Sequence, residues 1–273
     1  MIPTIVILSF NSSETLGATL SSIKSLSDDI FVIDSGSTDR TVEIALEAGA
    51  HVLNHPFENY GLQRNWAIDN ISAKYPWQLH LDADEQLSFE LAEEIRRIPE
   101  KTSYDGFLVP RYIKFMGKLL QYNLAPTFHM RLFREGAGRC EARHYDQHFI
   151  CTGSISKVRY HMIDDIRMSL SEWTRRHNNW ADAEVIEIRT ANSSERVQGR
   201  LLGNSIEKKR FLRRGYNALP LFVRPFLLFF YRYFVRFGFL DGKEGLIFCV
   251  LQVLWFRFLI DAKLLEATRS ERK

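Results

Sequence analysis

The chain has 273 residues, 45% hydrophobic and 25% charged, a globular composition with room for a large core and the size of one large domain plus an appendage. Its three cysteines, Cys140, Cys151 and Cys249, are odd in number and lack metal-ligand spacing, which argues against a disulfide framework and favours a reducing compartment. The net charge of +3 hides an asymmetry: Lys208 to Lys273 carry 14 Lys/Arg against 5 Asp/Glu and 15 of the 35 aromatics, so this segment is +9 and the remainder −6. A basic, aromatic-rich segment on an acidic body points to an anionic surface as partner.

The first residues, Met1-Ile-Pro-Thr-Ile-Val, have no basic n-region and no cleavage site, so they read as the start of a strand rather than a signal peptide. Thr4 to Leu8 is that strand, apolar and β-rich. Leu16, Leu20, Ile23 and Leu26 then recur at helical spacing behind a Ser12/Ser13 cap. Ile30 to Ile33 is a second strand, ending in Asp34-Ser-Gly-Ser-Thr-Asp39. Ser37 or Thr38 can cap a helix from Arg40 to Ala48 that Gly49 closes. His51 to Leu53 is a short third strand, Gly61 to Ile71 a helix, and Trp77 to Leu81 a strand running into Asp82-Ala83-Asp84. Strand and helix alternating with short loops predict a mostly parallel sheet covered on both faces. Ligands of such sheets bind beyond the strand C-termini, where Asn11, Asp34 and Asp82 converge.

Two carboxylates one residue apart at a strand end are hard oxygen ligands for Mg²⁺ or Mn²⁺, which can bridge to a diphosphate. A solvated turn has the same pattern. Beyond Asp84, Leu87 to Ile98 reads as a helix, with strands at Gly106 to Val109 and Met130 to Phe133 flanking an irregular stretch. Ser169 to Thr190 reads as a polar helix, and Ser193 to Gly203 as a linker. In Phe222 to Phe237, the residues Phe222, Phe226, Phe229, Phe230, Tyr233 and Phe237 fall within about a 100° arc, with Arg224, Arg232 and Arg236 on another. This is the pattern of an in-plane interfacial helix, or of a core helix with a solvated face. Gly245 to Ile260 is apolar but shorter than the ~20 residues of a span and carries Gln252 and Arg257, so it reads as peripheral or shallowly inserted.

Four segments in order resemble glycosyltransferase family 2: Ile7-Leu-Ser-Phe-Asn11, Val32-Ile-Asp-Ser-Gly-Ser-Thr-Asp-Arg-Thr41, Gln63-Arg-Asn-Trp-Ala67 and Leu81-Asp-Ala-Asp-Glu85. Met130-Arg-Leu-Phe-Arg134 and Gly238-Phe-Leu-Asp-Gly242 extend the resemblance to the branch that builds lipopolysaccharide cores, O-antigens and capsules. It implies a GT-A fold: Rossmann-like α/β, with a mixed, mostly parallel sheet. Residues 1–200 would form that domain and 201–273 a basic, aromatic helical region. It also implies a nucleotide-sugar donor, UDP foremost, a divalent metal, and inversion at the anomeric carbon.

By resemblance, Asp34 contacts the nucleoside base, Asp82 the ribose or metal, and Asp84 ligates the metal. Asn11 and Ser37 shape the uridine-side loops. Asp39 is either a ligand or a charge at a helix N-terminus. Arg64 is a fork for phosphate oxygens or a surface helix residue. An inverting displacement needs a general base. Relatives carry a carboxylate after the Leu-Phe-Arg segment, where this chain offers Asp146, favoured, and Glu141; the His-Glu pair of the lipopolysaccharide-core relatives is missing. Arg131 is a phosphate contact or a structural ion pair, and His144 and His148 are candidates to orient acceptor or phosphate. Trp173, on a helix with further Arg and Trp, either stacks on acceptor sugar or packs on the sheet.

The expected partners are a nucleotide-sugar donor, a glycolipid or lipid-linked glycan acceptor and an anionic membrane surface, not nucleic acid. The expected location is the cytoplasmic face of a bacterial inner membrane, peripherally attached. Two rivals remain. A nucleotidyltransferase needs a Gly-rich basic loop after the first strand, where this chain has Ser9-Phe-Asn-Ser-Ser13. A non-catalytic membrane-surface module is opposed by the intact Asp82/Asp84 pair and the Asp34 loop.

Overall fold

A computed structural model describes residues 1–123, 126–141, 147–190, 199–203 and 205–270. They form two compact units. The first comprises 1–114, 126–141 and 147–166; the second holds 115–123 and the described residues from 167 onward.

The first unit opens with β1 (Thr4–Ser9), α1 (Leu16–Ile23), β2 (Ile30–Asp34), α2 (Thr41–Glu47), β3 (His51–Asn54), α3 (Tyr60–Asn70) and β4 (Trp77–Asp82). These strands lie parallel in the order β3-β2-β1-β4. Alternation along β1 sends Ile5 and Ile7 to one face, with Leu16, Leu20, Ile23 and Ala45, and Val6 and Leu8 to the other, with Ala67 of α3. Both faces are therefore covered, as a parallel sheet requires.

Then follow β5 (Glu85–Leu87), α4 (Phe89–Arg97), β6 (Gly106–Phe115), β7 (Lys118–Leu120, counted with the second unit), β8 (Thr127–Arg134), β9 (Gly138–Cys140), β10 (Phe149–Cys151), β11 (Ile155–Lys157) and β12 (Met162–Ile166). The sheet continues β4-β8-β6-β12-β5, with β8 antiparallel to β4 and β6, and β5 antiparallel to β12. The short strands β5, β7 and β9 to β12 escape the sequence pattern because three to five residues carry too little periodicity to read. Two caps also differ from expectation. Thr15, not Ser12 or Ser13, precedes α1 and makes no side-chain cap bond. Asp39, not Ser37 or Thr38, accepts the Thr41 N–H at 3.0 Å where α2 begins.

The second unit contains α5 (Leu170–Arg189), α6 (Ser205–Asn217), α7 (Arg224–Phe230), α8 (Gly242–Phe248) and α9 (Phe256–Ser270). Ala181 and Val185 of α5 pack against Phe256 and Ile260 of α9. The single helix expected over Phe222 to Phe237 is not regular: α7 passes into a π-helical turn at Tyr231–Val235, and Phe237 turns left-handed with φ 58°. Phe226, Phe230, Phe234 and Phe237 are exposed. Arg224 leaves the polar arc altogether. It is buried, and its guanidinium pairs with Asp261.

The apolar segment expected over Gly245 to Ile260 is part of a longer helical run. Gly238–Ser270, 33 residues, is long and apolar enough to cross a membrane, and 39% of its most apolar stretch is buried within the protein. Its first turn is tied down by Asp241, whose carboxylate accepts the N–H groups of Gln121, Tyr122 and Asn123 at 2.8 to 3.3 Å. Asn123 donates in turn to the Gly245 carbonyl at 2.9 Å. Gly245 is required there, since a Cβ would lie 2.3 Å from the Asp241 Cβ. Asp241→Ala strands three backbone donors and should destabilise the protein by about 2–3 kcal/mol in urea unfolding.

Candidate functional site

The C-terminal ends of β1, β2 and β4 meet at one sheet edge, with Ser9 opposite Asp34 and Leu8 opposite Asp82. Polar side chains stitch the first two loops together. Asp34, 1% exposed, accepts from Ser9 Oγ (3.0 Å), Ser37 Oγ (2.5 Å), Gly36 N (3.0 Å) and Ser37 N (2.8 Å). Ser37 Oγ accepts the Asn11 N–H at 2.8 Å, and Asn11 Oδ1 accepts the Thr38 N–H at 2.8 Å. Asn11 itself is left-handed, φ 45°, a conformation asparagine tolerates. Asp39 accepts from Ser13 N and Thr41 Oγ1; against the opposing effect of burial, these hydrogen bonds hold its pKa down to about 2. The contact expected between the Asp34 carboxylate and a nucleoside base is therefore not offered: four donors already occupy a buried group, which shapes the loop instead.

Helix α3 reaches three neighbours from three consecutive side chains. It begins on Asn59, whose side chain accepts the Leu62 N–H at 2.9 Å. Gln63 donates to Ser35 Oγ and to the His55 carbonyl, both at 3.1 Å. Asn65 clamps the Cys140 peptide, accepting its N–H at 2.8 Å and donating to its carbonyl at 3.0 Å. Between them, Arg64 donates to Asp82 Oδ1 at 2.6 Å. Arg64 is only 7% exposed, so it is neither a surface arginine nor a ready phosphate fork: its nearest anion is Asp82.

The other oxygen of Asp82, Oδ2, accepts from Arg131 Nη2 at 2.8 Å. The same nitrogen donates to Glu85 Oε1 at 2.5 Å, and Arg111 Nη1 approaches Glu85 Oε1 at 3.3 Å and Asp164 Oδ2 at 3.1 Å. Three guanidiniums thus face three carboxylates. Burial pushes the Asp82 carboxyl up, but Arg64, Arg131 and Arg111 outweigh it and hold it well below the usual range. Burial raises Asp164 to about 6 despite Arg111. Burial, with Arg64 and Arg131 nearby, keeps His80 neutral. Arg131, expected at a phosphate or in a structural ion pair, makes the ion pair. Glu85 lay in a motif visible in the sequence but had no assigned part. Arg111 and Asp164 gave no signal, because only strand pairing brings them to Glu85.

This bears on the metal. Both Asp82 oxygens accept from guanidiniums, so Asp82 and Asp84 do not form a shared cation site as expected; a divalent ion at Asp82 would face two positive charges. Among the described residues no cluster of three His, Cys, Asp or Glu could hold a metal. Asp84, partly exposed on the turn between β4 and β5, fits a different donor set, one carboxylate with the remaining oxygens from phosphate and water. The turn is anchored by Ala83, whose N–H donates to the Leu8 carbonyl (3.1 Å) and whose carbonyl accepts from Thr19 Oγ1 (2.9 Å).

Of the two candidate bases, Asp146 lies outside the described residues, as does His144. Glu141 is buried and accepts the His148 N–H at 2.9 Å. Gly61 allows α3 to approach it, since a Cβ would come 3.0 Å from the Glu141 carbonyl. His148 is buried with its ring 5.7 Å from that of His129. Of its two alternatives, Trp173 takes packing rather than sugar stacking. It is 1% exposed, stacked on His177 with ring centroids 3.4 Å apart, and has no face left for a sugar.

With this geometry in hand, the model of the family described as glycosyl transferase family 2 matches residues 4–166. The chain belongs to that family. The match spans every element that builds the sheet edge just described. An uncharacterized glycosyltransferase of Rickettsia bellii is 37% identical over 114 residues, 42% of this chain and 36% of that protein. A TPR repeat-containing protein of Synechococcus elongatus is 35% identical over 122 residues, 44% of this chain and 30% of that protein. The chain thus aligns with only about a third of either relative. Among solved structures, the mannosyltransferase PcManGT of Pyrobaculum calidifontis, in complex with GDP-Man and Mn²⁺, superposes with TM-score 0.53 at 10% identity, covering 97% of this chain and 88% of that one. TarS 1–349 of S. aureus, in complex with UDP-GlcNAc, gives TM-score 0.50 at 13% identity over 98% and 92%. The family 2 fold is therefore of the GT-A type, as the resemblance implied.

Because Asp82 titrates lower folded than unfolded, its stabilising contribution is full above about pH 4 and is lost as pH falls below it. Asp82→Asn should cost about 1–3 kcal/mol at pH 7, discounted for a side chain that is 27% exposed. Urea unfolding at pH 7 and pH 3 should show the gap between wild type and variant closing in acid.

Proposed function

We propose that this chain is an inverting glycosyltransferase that moves a sugar from a nucleotide-sugar donor, a UDP-sugar foremost, to a lipid-linked or lipopolysaccharide-type glycan at the cytoplasmic face of a membrane. The observation that carries the reading is the Asp82-Ala83-Asp84 turn at the edge where the β1 and β2 loops close, inside a family 2 fold. Solved neighbours bound to GDP-Man with Mn²⁺ and to UDP-GlcNAc support the donor class.

The chemistry is one in-line displacement. The acceptor hydroxyl oxygen attacks the anomeric carbon as the bond to the diphosphate oxygen breaks. The hydroxyl proton passes to a carboxylate, Asp146 or Glu141, and the nucleoside diphosphate leaves. Mg²⁺ or Mn²⁺, when bound through Asp84, would neutralise charge on the leaving diphosphate. Asn11, Ser37 and Asp34 shape the loops against which the nucleoside lies, and Arg64 and Arg131 hold Asp82 for the ribose side.

The second unit is the membrane-facing part. Phe226, Phe230 and Phe234 stand exposed one helical turn apart, with Arg232 and Arg236 partly exposed and Lys243 exposed further along the chain. Aromatics beside cations suit the interface of an anionic bilayer.

Asp84→Ala should reduce transfer at least about 100-fold while circular dichroism stays native; a near-normal rate would defeat the assignment. UDP, GDP and dTDP binding with and without Mn²⁺ identifies the nucleotide, and no binding to any of them favours the non-catalytic module. On phosphatidylglycerol vesicles, exchanging Phe226, Phe230 and Phe234 for Ser should weaken sedimentation about tenfold or more. Raising the salt from 0.1 to 0.5 M should weaken it further, since the screening length shrinks from about 10 Å.

A further inference from the structure

Glu85 is a buried carboxylate that the displacement itself does not use. It is 0% exposed, so it cannot meet a substrate. Its two oxygens are divided. Oε2 accepts the backbone N–H of Asp82 at 3.0 Å. Oε1 accepts from Arg131 Nη2 at 2.5 Å, and that nitrogen also donates to Asp82 Oδ2 at 2.8 Å. Glu85 therefore grips Asp82 at both ends, the backbone directly and the carboxylate through one shared guanidinium nitrogen. Arg111 of β6 supports Glu85 from behind, and Asp164 of β12 supports Arg111.

Stability alone is a poor reason for such an arrangement. Desolvating several charges costs about as much as their attraction returns, and apolar side chains of similar size often do as well. What the ion network supplies that an apolar core would not is a single orientation for Asp82. Arg64 holds Oδ1 from a helix and Arg131 holds Oδ2 from a strand, so the carboxylate plane is set by two independent elements.

We infer that Glu85 is a positioning residue: through Arg131 and the Asp82 N–H it fixes Asp82, and with it the turn carrying Asp84, in the orientation that receives the nucleotide of the donor. This rests on the nucleotide-sugar reading of the site.

The test is calorimetric affinity for UDP and for GDP in Mn²⁺, well below the melting temperature, for wild type, Glu85→Gln, Arg131→Gln and the double variant. Glu85→Gln should weaken the bound nucleotide about tenfold while the folded protein persists. The double variant should lose less than the product of the two single losses, because both act on one contact. A purely structural Glu85 would lower the melting temperature and leave the affinity of the folded protein at the wild-type value, which overturns the inference. Losses that multiply in the double variant overturn it as well. Should Glu85→Gln not fold, Glu85→Asp serves: it keeps the charge but is one methylene too short to hold both contacts. Weakened affinity in that variant supports the inference and unchanged affinity overturns it. Failure of the wild type to bind either nucleotide is a separate result, and it defeats the nucleotide reading on which the inference stands.

Discussion

One carboxylate between two guanidiniums organises the sheet edge. Asp82 terminates β4, Arg64 reaches it from α3 and Arg131 from β8. Ion pairs taken out of water gain little net stability, yet removing one partner leaves the others uncompensated. The members of the network therefore depend on one another. With Glu85, Arg111 and Asp164 it balances three positive charges against three negative ones, and the turn that bears Asp84 is carried on it. The position of the Asp84 carboxylate on that turn is thus tied to the ion pairs beneath it.

The neighbouring loops solve the same problem with weaker, neutral-donor bonds. Ser9, Ser37, the Asn11 side chain and successive backbone N–H groups converge on Asp34 or on one another, so the loops after β1 and β2 hold a defined shape without a second ion pair. Asp34 is fully satisfied by them. A side chain at a strand end can thus serve a site by shaping backbone rather than by touching ligand. The same economy is visible in Gln63 and Asn65, which flank Arg64 and fix the segments on either side of it.

The second unit follows other rules. Its buried charges sit in separate contacts, such as Asp241 on three consecutive N–H groups and Arg224 on Asp261. Its surface, by contrast, exposes large apolar side chains at Leu227, Phe230, Phe234 and Leu240. A unit pinned internally by polar bonds can hold such a surface in place without burying it, which is the requirement for meeting a nonaqueous neighbour.

The amino-acid sequence by itself determined the alternating first half of the sheet, because β1 to β4 and α1 to α3 repeat apolar residues at periods that only a strand or a helix buries. It also determined the family, through motifs that sit on those elements, and the charge asymmetry of the last third. Only the tertiary structure decided what the motif residues touch. Arg64 was legible as an arginine on a helix, not as the partner of Asp82, since 18 residues separate them. Asp34 read as a ligand, and four converging donors made it a support. Trp173 left sugar stacking and packing both open, and burial at 1% exposure made it core. Glu85, Arg111 and Asp164 became neighbours through antiparallel pairing and strand order, which no local pattern encodes. Periodicity reports which side of an element is buried; the identity of the buried partner is a property of the assembled fold.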